Sequence, residues 1–118
     1  MASEQNRTIA QKLYEAFNSR DIDRLDSLIA PNCLDHTAAP DHATALEGLK
    51  QAWAQLYFTF PHSQLNPANL SIDGDQVVLE ALFQHHTAHG EEETAVLLTL
   101  FRVVEAQIVE VWNLIRWN

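Results

Sequence analysis

The chain has 118 residues, 47% apolar and 19% charged, and a formal charge of −9 from seven Lys and Arg against sixteen Asp and Glu. That length suits one domain, residues 1–118, burying roughly two-thirds of its unfolded surface around a single core. Its basic residues (Arg7, Lys12, Arg20, Arg24, Lys50, Arg102, Arg116) are scattered, which argues against nucleic acid, whose binding needs clustered positive charge, and the acidic balance disfavours anionic lipid.

Cys33 is the only cysteine, so no intramolecular disulfide can form. Its apolar neighbours suggest a buried structural thiol rather than a nucleophile. No apolar run approaches the roughly 18 residues of a membrane span, and the expectation is a soluble, cytoplasmic protein.

In chain order, Ser3 can cap a first helix whose buried stripe is Ile9, Leu13 and Phe17. Asn18-Ser19-Arg20 interrupts it. Asp21 then caps a short second helix burying Ile22, Leu25, Leu28 and Ile29, and Pro31 closes that unit. Leu49, Trp53, Leu56 and Phe60 mark one face of a third helix, ended by Phe60-Pro61.

Strands follow. One lies near residues 64–72, and Asp73-Gly74-Asp75 is a hairpin turn. "QVVLEALFQHH", "TAVLLTLFRVV" and "QIVEVWNLIRWN" complete the set. The last two are apolar on both faces, which calls for helices on one side and a partner on the other. A homodimer through the sheet face is expected.

Helices followed by strands predict an α+β fold. The residues then resemble one family throughout. "YEAFNSRDIDRLDSLIAPNCLDH" (14–36) is similar to the opening of SnoaL-like polyketide cyclases, within the nuclear-transport-factor-2-like superfamily. Gly48, "FP" at 60–61, "GDQVV" at 74–78 and "FR…IVEVW" at 101–112 match its later segments. The resemblance implies three N-terminal helices packed on a strongly curved antiparallel sheet, forming a cone with an internal pocket. It also implies acid/base chemistry without metal or cofactor on a small, largely apolar carbonyl compound, as in intramolecular aldol ring closure.

The chain departs from the family where its acid usually stands. The family's "EHW" is here Glu110-Val111-Trp112, and its aspartate positions hold Asn113 and Arg116. Asparagine takes up no proton at neutral pH and arginine does not release one. In the strand after Gly74, the family's "GTH" aligns with His85, His86 and Thr87.

Four residues are candidate catalytic groups: Asp35, His36, His85 and Glu110. Asp35 and His36 stand where the chain enters the cone, but adjacent strand residues point to opposite faces, so both do not line one pocket. A structural alternative has Asp35 capping the next turn and His36 bonding backbone. By alternation His85 lies with Val77, Leu79, Ala81 and Phe83. "HHTAH" (85–89) invites a metal, yet no cysteine completes a set; a solvated rim at a strand end is the expected reading, with no metal. Glu110 shares a face with Ile108 and Trp112. Inward it can replace the missing aspartate; outward it pairs with Arg102 or Arg116. An acid–Arg set can also activate water, as in limonene-epoxide-hydrolase relatives of this fold.

The expected pocket lining is Tyr14, Phe17, Trp53, Phe83, Trp112 and Asn113. Tyr14 can donate to an oxyanion or pack with its hydroxyl at the rim. Two functions remain open: a cofactor-free cyclase, isomerase or lyase, and a dimeric binding or regulatory module that has lost the acid.

Overall fold

A computed structural model describes residues 2–37, 44–86 and 89–117. Helix α1 (Ala2–Asn18) buries Asn6, Ile9, Ala10, Leu13, Ala16 and Phe17, the three- and four-residue spacing of one helical face. The chain then leaves helical geometry at Arg20, which adopts φ +63°. Its guanidinium donates to the carbonyls of Phe17, Pro61 and Ser63 and stacks on Tyr57, 4.5 Å from the ring centre. The Tyr57 hydroxyl donates to the Phe17 carbonyl as well. Asn18 finishes the join: its amide both donates to and accepts from the backbone of Leu65.

A 3-10 turn (Ile22–Arg24) leads into a short helix, α2 (Leu25–Leu28). Asp21 makes no side-chain cap here and instead faces Arg24 at 3.5 Å. The second helical unit is also shorter than its apolar residues suggest. Ile29 already begins strand β1 (Ile29–Asp35), and Pro31 lies within that strand rather than closing the helix. Proline is tolerated there because β1 is an edge strand, where a missing N–H breaks no ladder bond.

Helix α3 (Ala45–Thr59) starts at Thr44, whose hydroxyl accepts from the Glu47 N–H. It buries Gly48 and Trp53 and ends at Phe60 before Pro61. Strands β2 (Gln64–Asp73), β3 (Gln76–His86), β4 (Glu92–Val104) and β5 (Gln107–Trp117) form an antiparallel meander. Gly74 takes φ +62° at the first hairpin. At the β4–β5 turn Glu105 and Ala106 both adopt positive φ, +51° and +64°, without a glycine to ease it.

The three helices pack on a curved, open five-stranded sheet of order β1-β5-β4-β3-β2. The sheet is mixed, since β1 runs parallel to β5. Its inner face, under the helices, carries Val77, Leu79, Ala81, Phe83 and His85 of β3 in strict alternation, all buried. Among the described residues no helix is long and apolar enough to cross a membrane.

Candidate active site

A cavity of about 40 Å³ lies between the helices and the inner sheet face. Leu13 and Tyr14 of α1 and Leu49 and Trp53 of α3 close it on one side. Leu79, Ala81, Leu97, Phe101, Ile108 and Val111 are prominent among the residues that close it on the other. Three polar side chains interrupt this wall: Tyr14, Thr99 and Asn113. Thr99, 5% exposed, donates its hydroxyl to the Asn113 side-chain carbonyl at 3.0 Å. That bond fixes the amide so that its NH₂ is the end left to donate.

Asn113 reaches the cavity because β5 breaks its alternation. Arg102 is opposite Glu110 while Val103 is opposite Ile108, so Val109 is one extra residue, a β-bulge. Ile108 and Val111 are therefore both buried, at 1% and 5% exposure, although they are three residues apart. Strict alternation placed Ile108, Glu110 and Trp112 on one face. The bulge sends Ile108 inward and leaves Glu110 and Trp112 on the outer face, so Trp112 is no part of the cavity.

Glu110 instead belongs to an ion-pair chain on that outer face. Its Oε1 lies 2.9 Å from Arg102 Nη2 and its Oε2 lies 2.9 Å from His36 Nε2. Arg102 reaches on to Asp75 at 3.6 Å. The His36 ring stacks on Trp112 with centres 4.3 Å apart and planes 13° from parallel. Pairing of Glu110 with Arg102 was one of the two readings the sequence left open, and it is the one found.

Asp35 takes the opposite side. It is aligned with Val111, a cavity residue, and Leu34 with outer-face Glu110. Its Oδ1 accepts from the Thr37 N–H and hydroxyl, and the Thr37 hydroxyl accepts from the Asn113 N–H. Asn113 is thus held at two points, its backbone N–H by the Asp35–Thr37 pair and its side-chain oxygen by Thr99. Nearby, Cys33 is buried, and burial first, then the Asp35 and Glu110 carboxylates, push its thiol up to about 11. It stays protonated near neutral pH, as a structural thiol does.

His85 is buried at 5% exposure, two residues along β3 from Phe83, inside an aromatic group of Phe60, Phe83 and Trp117. Its Nε2 lies 3.3 Å from Glu93 Oε2, near enough for an ion pair but not aligned as a hydrogen bond. Phe17 and Phe83 are buried with ring centres 6.1 Å apart and pack beside the cavity without lining it. Among the described residues no three His, Cys, Asp or Glu side chains are grouped to hold a metal ion. Thr87 of the histidine-rich stretch lies outside the described residues.

The structure therefore gathers Tyr14, Trp53 and Asn113 at the cavity, sets Asp35 beside cavity residue Val111 in the sheet, and keeps His36 with Glu110 on the outer face and His85 apart from both. Thr99 and Thr37 were not anticipated. The signal for Thr99 was a lone polar residue inside "AVLLTLF", where a two-faced apolar strand leaves it nowhere to be solvated.

The SnoaL-like domain family matches residues 10–111. The chain belongs to that family. Among solved structures it is similar to wild-type IdmH of Streptomyces antibioticus, a proposed polyketide cyclase. The two are 25% identical over 94% of this chain and 91% of that one, with a TM-score of 0.84. A proposed polyketide cyclase from Bacillus cereus is 22% identical over 94% of this chain and 74% of that one, TM-score 0.84. A SnoaL-like polyketide cyclase from Agrobacterium tumefaciens is 14% identical over 93% and 90%, TM-score 0.78. The latter two share the fold. Among curated proteins none matches the chain.

Proposed function

We propose that this SnoaL-like chain is an enzyme of cyclase or isomerase type, acting by general acid/base catalysis on a small, largely apolar carbonyl compound. The observation that carries this reading is an apolar cavity holding an Asn113 amide oriented by Thr99, with the Asp35–Thr37 pair bonded to the Asn113 backbone N–H. The Asn113 NH₂ and the Tyr14 hydroxyl are the donors available to a carbonyl oxygen, and a dry wall strengthens such bonds. Asp35 is the carboxylate on the inward side of β1. It takes a proton from the carbon beside the carbonyl, the enolate carbon attacks a second carbonyl, and Asp35 returns the proton to the new alkoxide. The test needs no known substrate: proton-for-deuterium exchange beside the carbonyl of small ketones and keto esters, followed by NMR in deuterated water. Wild-type protein should accelerate exchange, Asp35→Asn should abolish it, and Asn113→Leu should slow it about 100-fold or more. Exchange untouched by Asp35→Asn would remove Asp35 from the chemistry.

One observation favours a second reading, a small-molecule-binding or regulatory module. No Asp, Glu or His lines the cavity among the described residues. Ligand binding with no exchange in any compound would decide for it. Under either reading the outer face is taken as the seat of a homodimer. Leu34, Leu98 and Leu114 stand exposed there beside half-buried Leu100 and Trp112, an apolar surface of the kind subunits cover. Leu114→Lys should then halve the mass seen by sedimentation velocity; a wild-type chain that sediments as a monomer rules the dimer out.

A further inference from the structure

A second cavity, about 200 Å³ and open to solvent, lies in the seam between α1 and β2. Arg7, Gln11 and Tyr14 line it from α1; their spacing of four and three residues makes them one stripe of that helix. Opposite them lie Pro67, Ala68, Asn69 and Leu70, where the register of β2 shifts between Pro67 and Asn69, a bulge of the sort that bends an edge strand. Tyr14 and Leu79 appear in the walls of both cavities. The open space and the inner one are neighbours across those two side chains.

Two facts give the seam a chemistry. The inner cavity, at about 40 Å³, has room for a few water molecules, while sites for organic ligands run to roughly 300 Å³ and above. A ligand of several carbons needs adjoining space, and the seam supplies it. The seam also carries a spare cation. Arg24, Lys50 and Arg102 each face a carboxylate and Arg20 is held by three carbonyls. Arg7 makes no ion pair among the described residues, although the chain carries a charge of −9. Tyr14 and Leu79 form the apolar floor of the seam, and Arg7 with Gln11 forms a polar rim.

We propose that this seam is the entry and head-group site for an amphipathic acid, an apolar chain ending in a carboxylate. The chain passes Tyr14 and Leu79 into the inner cavity, and the carboxylate stays at the rim, paired with Arg7 and bonded by the Gln11 amide. This rests on the reading of the inner cavity as the substrate site, and it narrows the substrate class to carbonyl compounds that also carry an acid group.

The test compares octanoate with neutral 2-octanone by titration calorimetry on the full chain. Octanoate should bind more tightly than 2-octanone. Arg7→Glu should weaken octanoate by about tenfold, the scale of one charge-assisted hydrogen bond, and leave 2-octanone unchanged. Lys12→Glu, the same charge change at an exposed α1 residue that lines neither cavity, should alter neither. Octanoate binding unchanged in Arg7→Glu, or weakened equally by Lys12→Glu, overturns the seam while 2-octanone binding upholds the inner cavity. Binding of neither ligand overturns both.

Discussion

The two faces of β5 are built from different physics. On the inner face Ile108, Val111 and Asn113 meet an apolar wall, and the polar contact there is between neutral groups, Thr99 to Asn113. On the outer face Glu110 is held between Arg102 and His36, with Asp75 beyond, all in partial contact with water. The difference shows why charge alone is a poor guide to a site. An acid, a base and a cation within hydrogen-bond reach look like catalytic machinery, yet here they sit on the side of the sheet away from the cavity. The inner face, with hardly an ionisable group, is the one that encloses space.

Mutations separate the faces by their cost. Phe101 is fully buried on the inner face, whereas Leu114 is 66% exposed on the outer. Phe101→Ala should destabilise the fold by about 3–5 kcal/mol in urea unfolding, and Leu114→Ala by less than about 0.5 kcal/mol. Equal costs would mean that the outer face is covered even at low concentration. A smaller effect belongs to the ion chain. Arg102→Ala should cost about 1 kcal/mol, because both Arg102 and Glu110 keep access to water. A double-mutant cycle with Glu110→Gln reads the coupling directly, and a value near zero would make the chain ornamental.

A change at the turn that joins β4 to β5 should touch neither face. Ala106 holds φ +64°, so Ala106→Gly should raise stability by about 0.5–1 kcal/mol in the same assay, with ligand binding as before. The subtlest effect is one of pH. Burial pushes the Cys33 thiol from its ordinary 9.0 to about 11 and the Tyr57 phenol from 10.0 to about 12. Between these limits the unfolded chain gives up protons that the folded chain keeps, so stability falls as pH rises from about 9. In Cys33→Ala the fall should begin nearer 10, where Tyr57 starts to contribute. Stability that is flat from pH 8 to 11 would contradict the burial of both groups.

Much of the fold was legible in the residues. Helices α1 and α3 follow from the spacing of Ile9, Leu13 and Phe17 and of Leu49, Trp53 and Phe60, and the Gly74 hairpin from its turn chemistry. Alternation placed His85 on the buried face of β3 because that strand has no bulge. It failed on β5 because one extra residue, Val109, inverts every side chain beyond it, and nothing in "QIVEVWNL" marks where the ladder slips. Strand alternation was read at Asp35 and His36, but the start of β1 at Ile29 was not, because its pairing with β5 joins residues more than seventy positions apart, a contact without local signature. Of the site, Asn113 and Tyr14 were read from the family's pattern. The placement of His36 and Glu110 needed the register.

Function here depends on which face of the sheet meets the ligand. The most direct measurement is the NMR spectrum of the Asn113 side-chain amide and the His36 ring during titration with 2-octanone. The prediction is a large shift of the Asn113 NH₂ signals with the His36 resonances unmoved. Perturbation of His36 and Trp112 while Asn113 stays fixed would place the ligand on the outer face and contradict it.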